Sequence, residues 1–174
     1  MIAVRKVSIP PGVTVELAGA VLKVKGPKGQ LERSVRFPQI TTSIDGQELM
    51  FSTSSERKNV NAMVGTFAAH AANMVKGVTT GFEYRMKVVY SHFPIQLKLQ
   101  AGKLEINNFL GEKKARYATI VHGVTIKIGN DEILLTGIDK ELLGTTFANI
   151  EHATKIRNRD PRVFQDGIYI VERT

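Results

Sequence analysis

Four cationic side chains cluster within eight residues near the end of the sequence. The stretch from Lys155 to Arg162 holds a single acidic residue, Asp160. The planar guanidinium of arginine offers paired N–H donors that match phosphate oxygens, and Pro161 forbids a continuing helix, which predicts a short extended segment. We therefore predict contacts with a ribose-phosphate backbone, with a solvated charged surface as the alternative. The candidate contact residues are Lys155, Arg157, Asn158, Arg159 and Arg162.

A second group of suitable side chains lies earlier, between Asn107 and Arg116. Asparagine amides can reach base or sugar edges, lysine and arginine can meet phosphates, and an exposed phenylalanine can stack on a base. The alternative is a solvated hairpin tip whose phenylalanine packs into the core. The candidate contact residues are Asn107, Asn108, Phe109, Lys113, Lys114 and Arg116.

The segment from Gly26 to Gly29, Gly-Pro-Lys-Gly, has the GxxG spacing with which one class of RNA-binding domain clamps a nucleotide backbone. That class places its loop between two helices, whereas both flanks here alternate between apolar and polar residues as strands do. Proline at the second position and glycine at the fourth favour an ordinary type I turn. We therefore predict a turn between two strands.

Catalytic patterns are missing from the sequence. The four histidines have neither HxxxH nor HExxH spacing, there is no cysteine, and the carboxylates are scattered. Ser91 and His92 are neighbours in a predicted strand and would point to opposite faces. We therefore predict no enzyme activity, no cofactor and no metal site. A hydrolase or transferase with an undetected site is one rival interpretation, and a protein-interaction adaptor with a broad apolar patch is another.

The composition is that of a basic globular protein. The 174 residues can form one average domain or two small ones, and 24 Lys and Arg against 16 Asp and Glu give a net charge of +8. This balance favours a polyanionic partner. No apolar run approaches the roughly 18 residues that cross a bilayer, so we expect a cytosolic protein without a membrane partner.

Two stretches of the sequence match in register, from Val13 to Gly29 and from Ile95 to Gly111. In both, apolar residues alternate with period two, as in a strand that covers a core with one face. Tight turns are predicted between the strands at Ala18 to Ala20 and at Gln100 to Gly102. Each copy is therefore predicted to open with a hairpin. The aligned apolar pairs are Val13 with Ile95, Val15 with Leu97, Leu17 with Leu99, Leu22 with Leu104, and Val24 with Ile106.

A short apolar strand and then a helix follow in both copies. Ser55 and Asp139 are predicted to cap the helices, and Gly77 to end the first one. Gly65 and Gly144 occupy aligned helical positions, where close packing against a sheet would explain them. The predicted buried faces comprise Val60, Met63, Val64, Phe67, Ala71, Met74 and Val75 in the first helix, and Leu142, Leu143, Phe147 and Ile150 in the second.

Strands followed by one helix, written twice, predict an α+β fold with two tandem similar domains. Each domain is expected to be a mainly antiparallel β-sheet with one packed α-helix. The boundary is predicted near Gly81, before a strand with alternating apolar residues at Phe82, Tyr84, Met86 and Val88. This gives domains 1–81 and 82–174, and one domain with accidental similarity is the alternative.

The segment from Arg159 to Arg173, RDPRVFQDGIYIVER, fits the pattern R-x-F-x-D-G-[I/V/L]-Y-I-x-x-[K/R]. It resembles the C-terminal signature of the universal large-subunit ribosomal protein L-six family, in its archaeal and eukaryotic form. The segments NNFLGEK, from Asn107 to Lys113, and MVKGVTTGF, from Met74 to Phe82, also resemble this family, so the likeness covers nearly the whole chain. His152 departs from the family, which often has Gln there.

The resemblance implies two tandem α+β domains and a place in the large ribosomal subunit. It implies binding to large-subunit rRNA near the elongation-factor site and the sarcin-ricin stem, mainly through the C-terminal domain. It also implies neighbouring large-subunit proteins as partners and proximity to elongation factors. Carried onto this sequence, the implied contacts are the two groups of candidate residues above, whereas Phe164, Ile168 and Ile170 are expected to pack under the sheet.

Overall fold

The computed structural model of the protein describes residues 3–160 and 162–174. The backbone contacts of the chain separate it into two compact units that divide between Gly81 and Phe82. Each unit has its own cluster of buried hydrophobic side chains. Each unit can therefore be described by itself.

The N-terminal unit has six strands and one helix among its described residues, 3–81. The order β1-β6-β5 forms one antiparallel sheet, and β2-β3-β4 forms a second. The helix packs against strands of both sheets. The elements are β1 (Ala3–Ser8), β2 (Thr14–Ala18), β3 (Val21–Gly26), β4 (Gly29–Ser34), β5 (Thr41–Asp45), β6 (Glu48–Thr53) and α1 (Lys58–Thr79).

The C-terminal unit repeats this order and adds one strand. Its sheets are β10-β9-β8 and β11-β12-β7-β13, with all neighbours antiparallel. A short 3₁₀ helix, Phe109–Gly111, lies between β9 and β10. The elements are β7 (Phe82–Val89), β8 (Gln96–Gln100), β9 (Lys103–Asn107), β10 (Arg116–Thr119), β11 (Val124–Ile128), β12 (Glu132–Gly137), α2 (Lys140–Ala153) and β13 (Gly167–Arg173).

The predicted α+β class and the single helix in each repeat are confirmed, but each unit has two sheets rather than one. The reason is long-range pairing: β1 pairs with β6, and β7 pairs with β12 and β13, across most of each unit. Alternation within a strand shows that one face is buried, but it does not show which strand lies alongside.

The predicted period-two burial is confirmed where it matters most for the core. In the paired hairpin strands, Leu22, Val24, Leu104 and Ile106 are fully buried, and the alternating apolar residues of β7 are buried. Leu99 is an exception, because it lies exposed next to a hairpin turn. Leu142 is also exposed, so its predicted place in the core is wrong. The buried apolar side chains of α2 are Leu143 and Ile150.

The two helices begin differently. The Asp139 side chain accepts a hydrogen bond from the Glu141 amide at 2.8 Å, so the predicted cap of α2 is confirmed. The predicted cap at Ser55 is wrong, because α1 begins only at Lys58, and the Ser55 hydroxyl accepts instead from the amide of Arg57 at 3.4 Å. α1 also continues past Gly77, which is buried within its last turn.

Close glycine packing occurs at a different place from the one predicted. A Cβ atom at Gly65 or Gly144 would meet nothing within 4 Å, so packing does not explain these helical glycines. At Gly26, however, a Cβ would lie 2.7 Å from a Val78 methyl carbon. The turn prediction at this segment is confirmed, since Gly26 pairs with Gly29, and the Lys28 amide donates to the Val78 carbonyl at 3.0 Å.

Candidate nucleic-acid interface

The predicted cationic stretch connects α2 to β13 at the surface of the C-terminal unit. It is not the extended segment that proline had suggested, because Asn158 adopts a left-handed backbone conformation with φ of 58°. The Asp160 side chain then accepts from the Arg162 amide at 2.9 Å, and its carbonyl accepts from the Phe164 amide at 3.0 Å. Pro161 lies outside the described residues. The stretch is thus a bend followed by a turn.

This bent backbone leaves the predicted contact residues exposed. The side chain of Arg162 is 92% exposed and reaches Asp160 only at 3.7 Å. Arg159 lies over the Phe164 ring, with 4.8 Å between the guanidinium carbon and the ring centre. Among residues 3–160 and 162–174, no carboxylate lies within salt-bridge distance of Lys155, Arg157 or Arg159. Most of the charge of this stretch therefore faces water.

The second predicted group forms a tightly folded connection between β9 and β10. Asn108, Leu110 and Gly111 have φ values of 59°, 51° and 75°, all in the left-handed region that costs a leucine roughly 1–2 kcal/mol. The side-chain amide nitrogen of Asn108 donates to the Pro94 carbonyl at 3.1 Å, so the Asn108 side chain is bonded within the protein. Lys113 and Lys114, which follow these left-handed residues in the sequence, are exposed. Asn107 is partly buried.

Phe109 is core rather than contact surface. Its side chain is 1% exposed and belongs to the hydrophobic cluster of the C-terminal unit, so its ring has no free face for a base. This settles the choice between stacking and packing in favour of packing. The guanidinium of Arg116 covers the ring, with 4.2 Å between its central carbon and the ring centre.

Arg116, predicted as a phosphate ligand, directs most of its hydrogen bonds to groups within the protein. One terminal nitrogen donates to the carbonyls of Ala153 and Lys155, at 2.9 and 3.2 Å, and the rest of the guanidinium holds Glu112. These bonds tie the β9–β10 connection to the start of the cationic stretch. The structure therefore brings the two predicted groups together, and Arg116 is the residue that joins them.

The electrostatics of Glu112 follow from this arrangement. The hydrogen bonds from Arg116 lower the pKa of Glu112; partial burial opposes them, and the positive charges of Arg116 and Arg159 add to the lowering. The contribution of Arg159 follows from the closeness of the cationic stretch to the β9–β10 connection.

An exposed aromatic ring that the sequence reasoning missed lies beside the β9–β10 connection. Phe93 is 46% exposed, and a Cβ placed on Gly111 would come within 3.2 Å of its ring. Phe93 thus occupies the kind of position that had been predicted for Phe109. The available signal was its place just before Pro94, where the alternation of β7 has ended and a loop begins.

Buried polar groups anchor both ends of the cationic stretch. At its start, the Thr154 hydroxyl accepts from the Ile168 amide at 3.2 Å, which joins the end of α2 to β13. Near its end, buried Asp166 accepts from the Ser91 hydroxyl at 3.3 Å. Ile168 is fully buried, as expected, and Tyr169 is exposed. The stretch is therefore held at both ends while its cations remain outside.

The described part of the chain has neither a metal-binding cluster nor a membrane-spanning helix. Within it, no three His, Asp or Glu side chains are grouped so that they could hold a metal ion. No helix in residues 3–160 and 162–174 has the length and apolar character needed to span a membrane.

Comparison with known proteins tests the family resemblance. The family model described as ribosomal protein L6 matches residues 9–81 and again residues 93–167. A protein named large ribosomal subunit protein uL6 from Methanospirillum hungatei is 59% identical over 170 residues, covering 98% of this chain and 97% of the relative. The protein of the same name from Methanothrix thermoacetophila is 54% identical with the same coverage, and that from Methanococcus vannielii is 43% identical over 97% of this chain and 92% of its own. The family suggested by the signature is confirmed: the chain belongs to the ribosomal protein L6 family.

Proposed function

We propose that this protein is a structural constituent of the large ribosomal subunit, where its C-terminal unit binds large-subunit rRNA. Proteins of this family are structural components of the ribosome and not enzymes. Its partners are then large-subunit rRNA and neighbouring ribosomal proteins. The site on the rRNA is near the elongation-factor site and the sarcin-ricin stem, close to elongation factors, a location that rests on the family resemblance.

The observation that carries this proposal is one set of exposed cations in the C-terminal unit, here called the basic face. The clamp of Arg116 onto Ala153 and Lys155 brings the two contributing segments together. By total charge the C-terminal unit is the less basic of the two, at +3 against +5, so clustering and not total charge singles it out. The basic face consists of Lys113, Lys114, Lys155, Arg157, Arg159 and Arg162.

The chemistry of the basic face suits an RNA backbone. Each Lys or Arg that meets a phosphate releases condensed counterions, which supplies affinity that falls steeply with salt. The backbone that carries these cations is held by Thr154 and Asp166 at its ends and by Asp160 in the middle. Fixed charges on a folded support favour recognition of the shape of an RNA surface over recognition of its base sequence.

Phe93 adds a stacking group beside the basic face. Because the ring is about half exposed and rests on Gly111, one of its faces is held by the protein and the rest can meet an unpaired base. We include Phe93 among the contact residues in place of Phe109. Arg116 and Asn108 act as positioning residues.

Cosedimentation with large subunits, combined with protein–RNA crosslinking, tests the proposal. We expect the protein to sediment with the large subunit in low salt and to crosslink to its rRNA through peptides that contain the basic face. Crosslinks confined to residues 3–81 would contradict the proposal. Failure of the protein to sediment with large subunits whose rRNA is intact would also contradict it.

A further inference from the structure

A cavity of about 530 Å³ opens beside the basic face, between the end of α2, the cationic stretch and β13. We propose that this cavity receives one unpaired nucleotide of the bound RNA. The inference rests on the proposed function, because the nucleotide would belong to the RNA that the basic face holds. The volume lies within the range of small-molecule sites, roughly 300–1,000 Å³.

The walls of the cavity suit a flat, weakly polar ring. Ile156 and Phe164 line it with partly buried apolar surface, and Tyr169, which is 42% exposed, adds a second aromatic ring. Bases that leave an RNA helix are held by stacking on aromatic side chains or on the guanidinium plane of arginine. The guanidinium of Arg159 lies over the ring of Phe164, so the cavity has both an aromatic ring and an arginine plane.

The rim of the cavity suits the rest of a nucleotide. Lys155 and Arg159 line it, and both belong to the basic face, so a nucleotide whose base is inside has its phosphate at these cations. His152 and Gln165 also line the cavity and offer hydrogen bonds to a base edge or to a ribose hydroxyl. Among the described residues of the lining, Glu151 is the one acidic residue, against the two cations Lys155 and Arg159. Apolar walls next to these cations point to a nucleotide as the ligand class.

The cavity is already formed without a ligand. The Tyr169 hydroxyl donates to the Gln165 carbonyl at 3.3 Å, which fixes the outer end of the ring. Its ring lies over Gly167, where a Cβ would come within 2.8 Å of the ring carbon that bears the hydroxyl. The amide of Ile168, the residue before Tyr169, donates to the Thr154 hydroxyl at 3.2 Å. A prepared cavity loses less entropy when a base enters it.

A second cavity of similar size in the same unit lacks these features. It has a volume of about 520 Å³ and lies around Leu99, Ile120 and His122. Among the described residues that line it there is neither lysine nor arginine, and no phenylalanine or tyrosine. The cavity beside the basic face thus differs from this second cavity in combining stacking walls with cations.

The test uses the full-length protein and rRNA extracted from purified large subunits. Gln165→Trp places a large ring at the mouth of the cavity while leaving every cation of the basic face in place, and Tyr169→Ala removes one wall. Gln47→Trp, at an exposed turn of the N-terminal unit, is the matched control. For each variant we would measure rRNA affinity, its dependence on salt, and the nucleotide adducts formed under ultraviolet light.

We expect a single-nucleotide adduct on the peptide that contains Phe164 and Tyr169 in the unaltered protein and in the control. Gln165→Trp and Tyr169→Ala should lower affinity by about tenfold, within the range for loss of one stacked base, with the same salt slope. An unaltered adduct and affinity in Gln165→Trp would overturn the cavity assignment. If the unaltered protein binds rRNA with a normal salt slope but forms no such adduct, the cavity inference fails alone; if it does not bind, the proposed function fails.

Discussion

Arg116 and Glu112, four residues apart, form a two-pronged ion pair in which Nε and one terminal nitrogen donate to separate carboxylate oxygens at 2.8 and 2.6 Å. The same guanidinium covers Phe109 and bonds to the Ala153 and Lys155 carbonyls. Glu112 thus orients the arginine that joins the β9–β10 connection to the cationic stretch. Breaking this pair should affect both segments that contribute to the basic face.

The Glu112→Gln variant tests this coupling through pH. Because the folded-state pKa of Glu112 lies below its ordinary value of 4.5, its ionised form stabilises the fold above pH 4.5, and this stabilisation is lost as pH falls through the lowered pKa. We expect the difference in unfolding free energy between the unaltered protein and Glu112→Gln to be present at pH 6 and to shrink below pH 4.

Denaturant titrations of both proteins at several pH values give this difference directly. The contributions of the other carboxylates to the pH dependence are the same in both proteins and cancel in the difference. Glu105→Gln, which removes an exposed partner of Gln100 on β9, serves as a control for the loss of one carboxylate. A difference that stays constant from pH 6 to pH 3 would contradict the assigned pKa shift.

Replacing Arg157, Arg159 and Arg162 together with alanine tests the basic face. Each phosphate contact contributes about one unit to the slope of log affinity against log salt, so the triple variant should bind the cognate rRNA fragment more weakly and lose up to about three units of slope. Fluorescence anisotropy over a series of salt concentrations measures both quantities.

A variant with the same loss of charge separates local contacts from general attraction. Lys98, Lys103 and Lys127 are exposed cations of the same unit that lie on strands away from the cationic stretch. Replacing these three with alanine should change the slope much less. Equal slopes for the two triple variants would mean that net charge and not the basic face drives binding.

Phe109 and Phe93 should respond oppositely to the same substitution. Phe109→Ala empties a buried position and should lower the unfolding free energy by about 3–5 kcal/mol. Phe93→Ala should leave stability nearly unchanged and lower rRNA affinity by about tenfold, since its ring is exposed. Thermal unfolding and binding assays on both variants check this, and a stable Phe109→Ala protein that has lost RNA binding would reverse the assignment.

The C-terminal unit should fold by itself. Residues 82–174 have their own buried cluster and two complete sheets, so we expect the isolated fragment to unfold in one cooperative transition and to keep most of the rRNA affinity. Circular dichroism and anisotropy measure these properties. A fragment without a cooperative transition would contradict the two-domain proposal.

Two glycine substitutions test which glycines are required by packing. Gly26→Ala forces a methyl group against Val78 and should destabilise the fold by about 1–3 kcal/mol. Gly65→Ala places a methyl group in open space within α1 and should stabilise it by up to about 1 kcal/mol. Unfolding curves that rank the two variants in the opposite order would contradict this reading of the packing.

Features that depend on local pattern could be predicted from the sequence. The alternation from Phe82 to Val88 gave the correct buried face of β7, and Asp139 sits at the start of α2 as its type and position indicated. The cations clustered from Lys155 to Arg162 are exposed, as a contact surface requires, and their contact with an RNA backbone stays a prediction. Each of these signals lies within a few residues along the chain.

Features that depend on distant partners could not be predicted. Whether Phe109 faces the core is decided by the left-handed conformations of Asn108 and Leu110, and nothing about a leucine indicates positive φ. Arg116 looked like a phosphate ligand because its partners, the Ala153 and Lys155 carbonyls, are some forty residues away. The position of the exposed Phe93 ring likewise depends on its packing against Gly111, 18 residues further along the chain, and not on its neighbours in sequence.

The strand β13 follows the cationic stretch in the chain. Its Ile168 amide bonds to Thr154 at the start of that stretch, and Asp166, just before β13, holds the other end through Ser91. The strand also covers the edge of β7. A copy whose synthesis stops before Gly167 would carry the same positive charges but would lack the Ile168 bond to Thr154 and the cover of β13 over the edge of β7. Such a copy would be attracted to RNA but would present a less firmly held surface to it. Complete molecules are thereby expected to fit an RNA surface better than copies that lack β13.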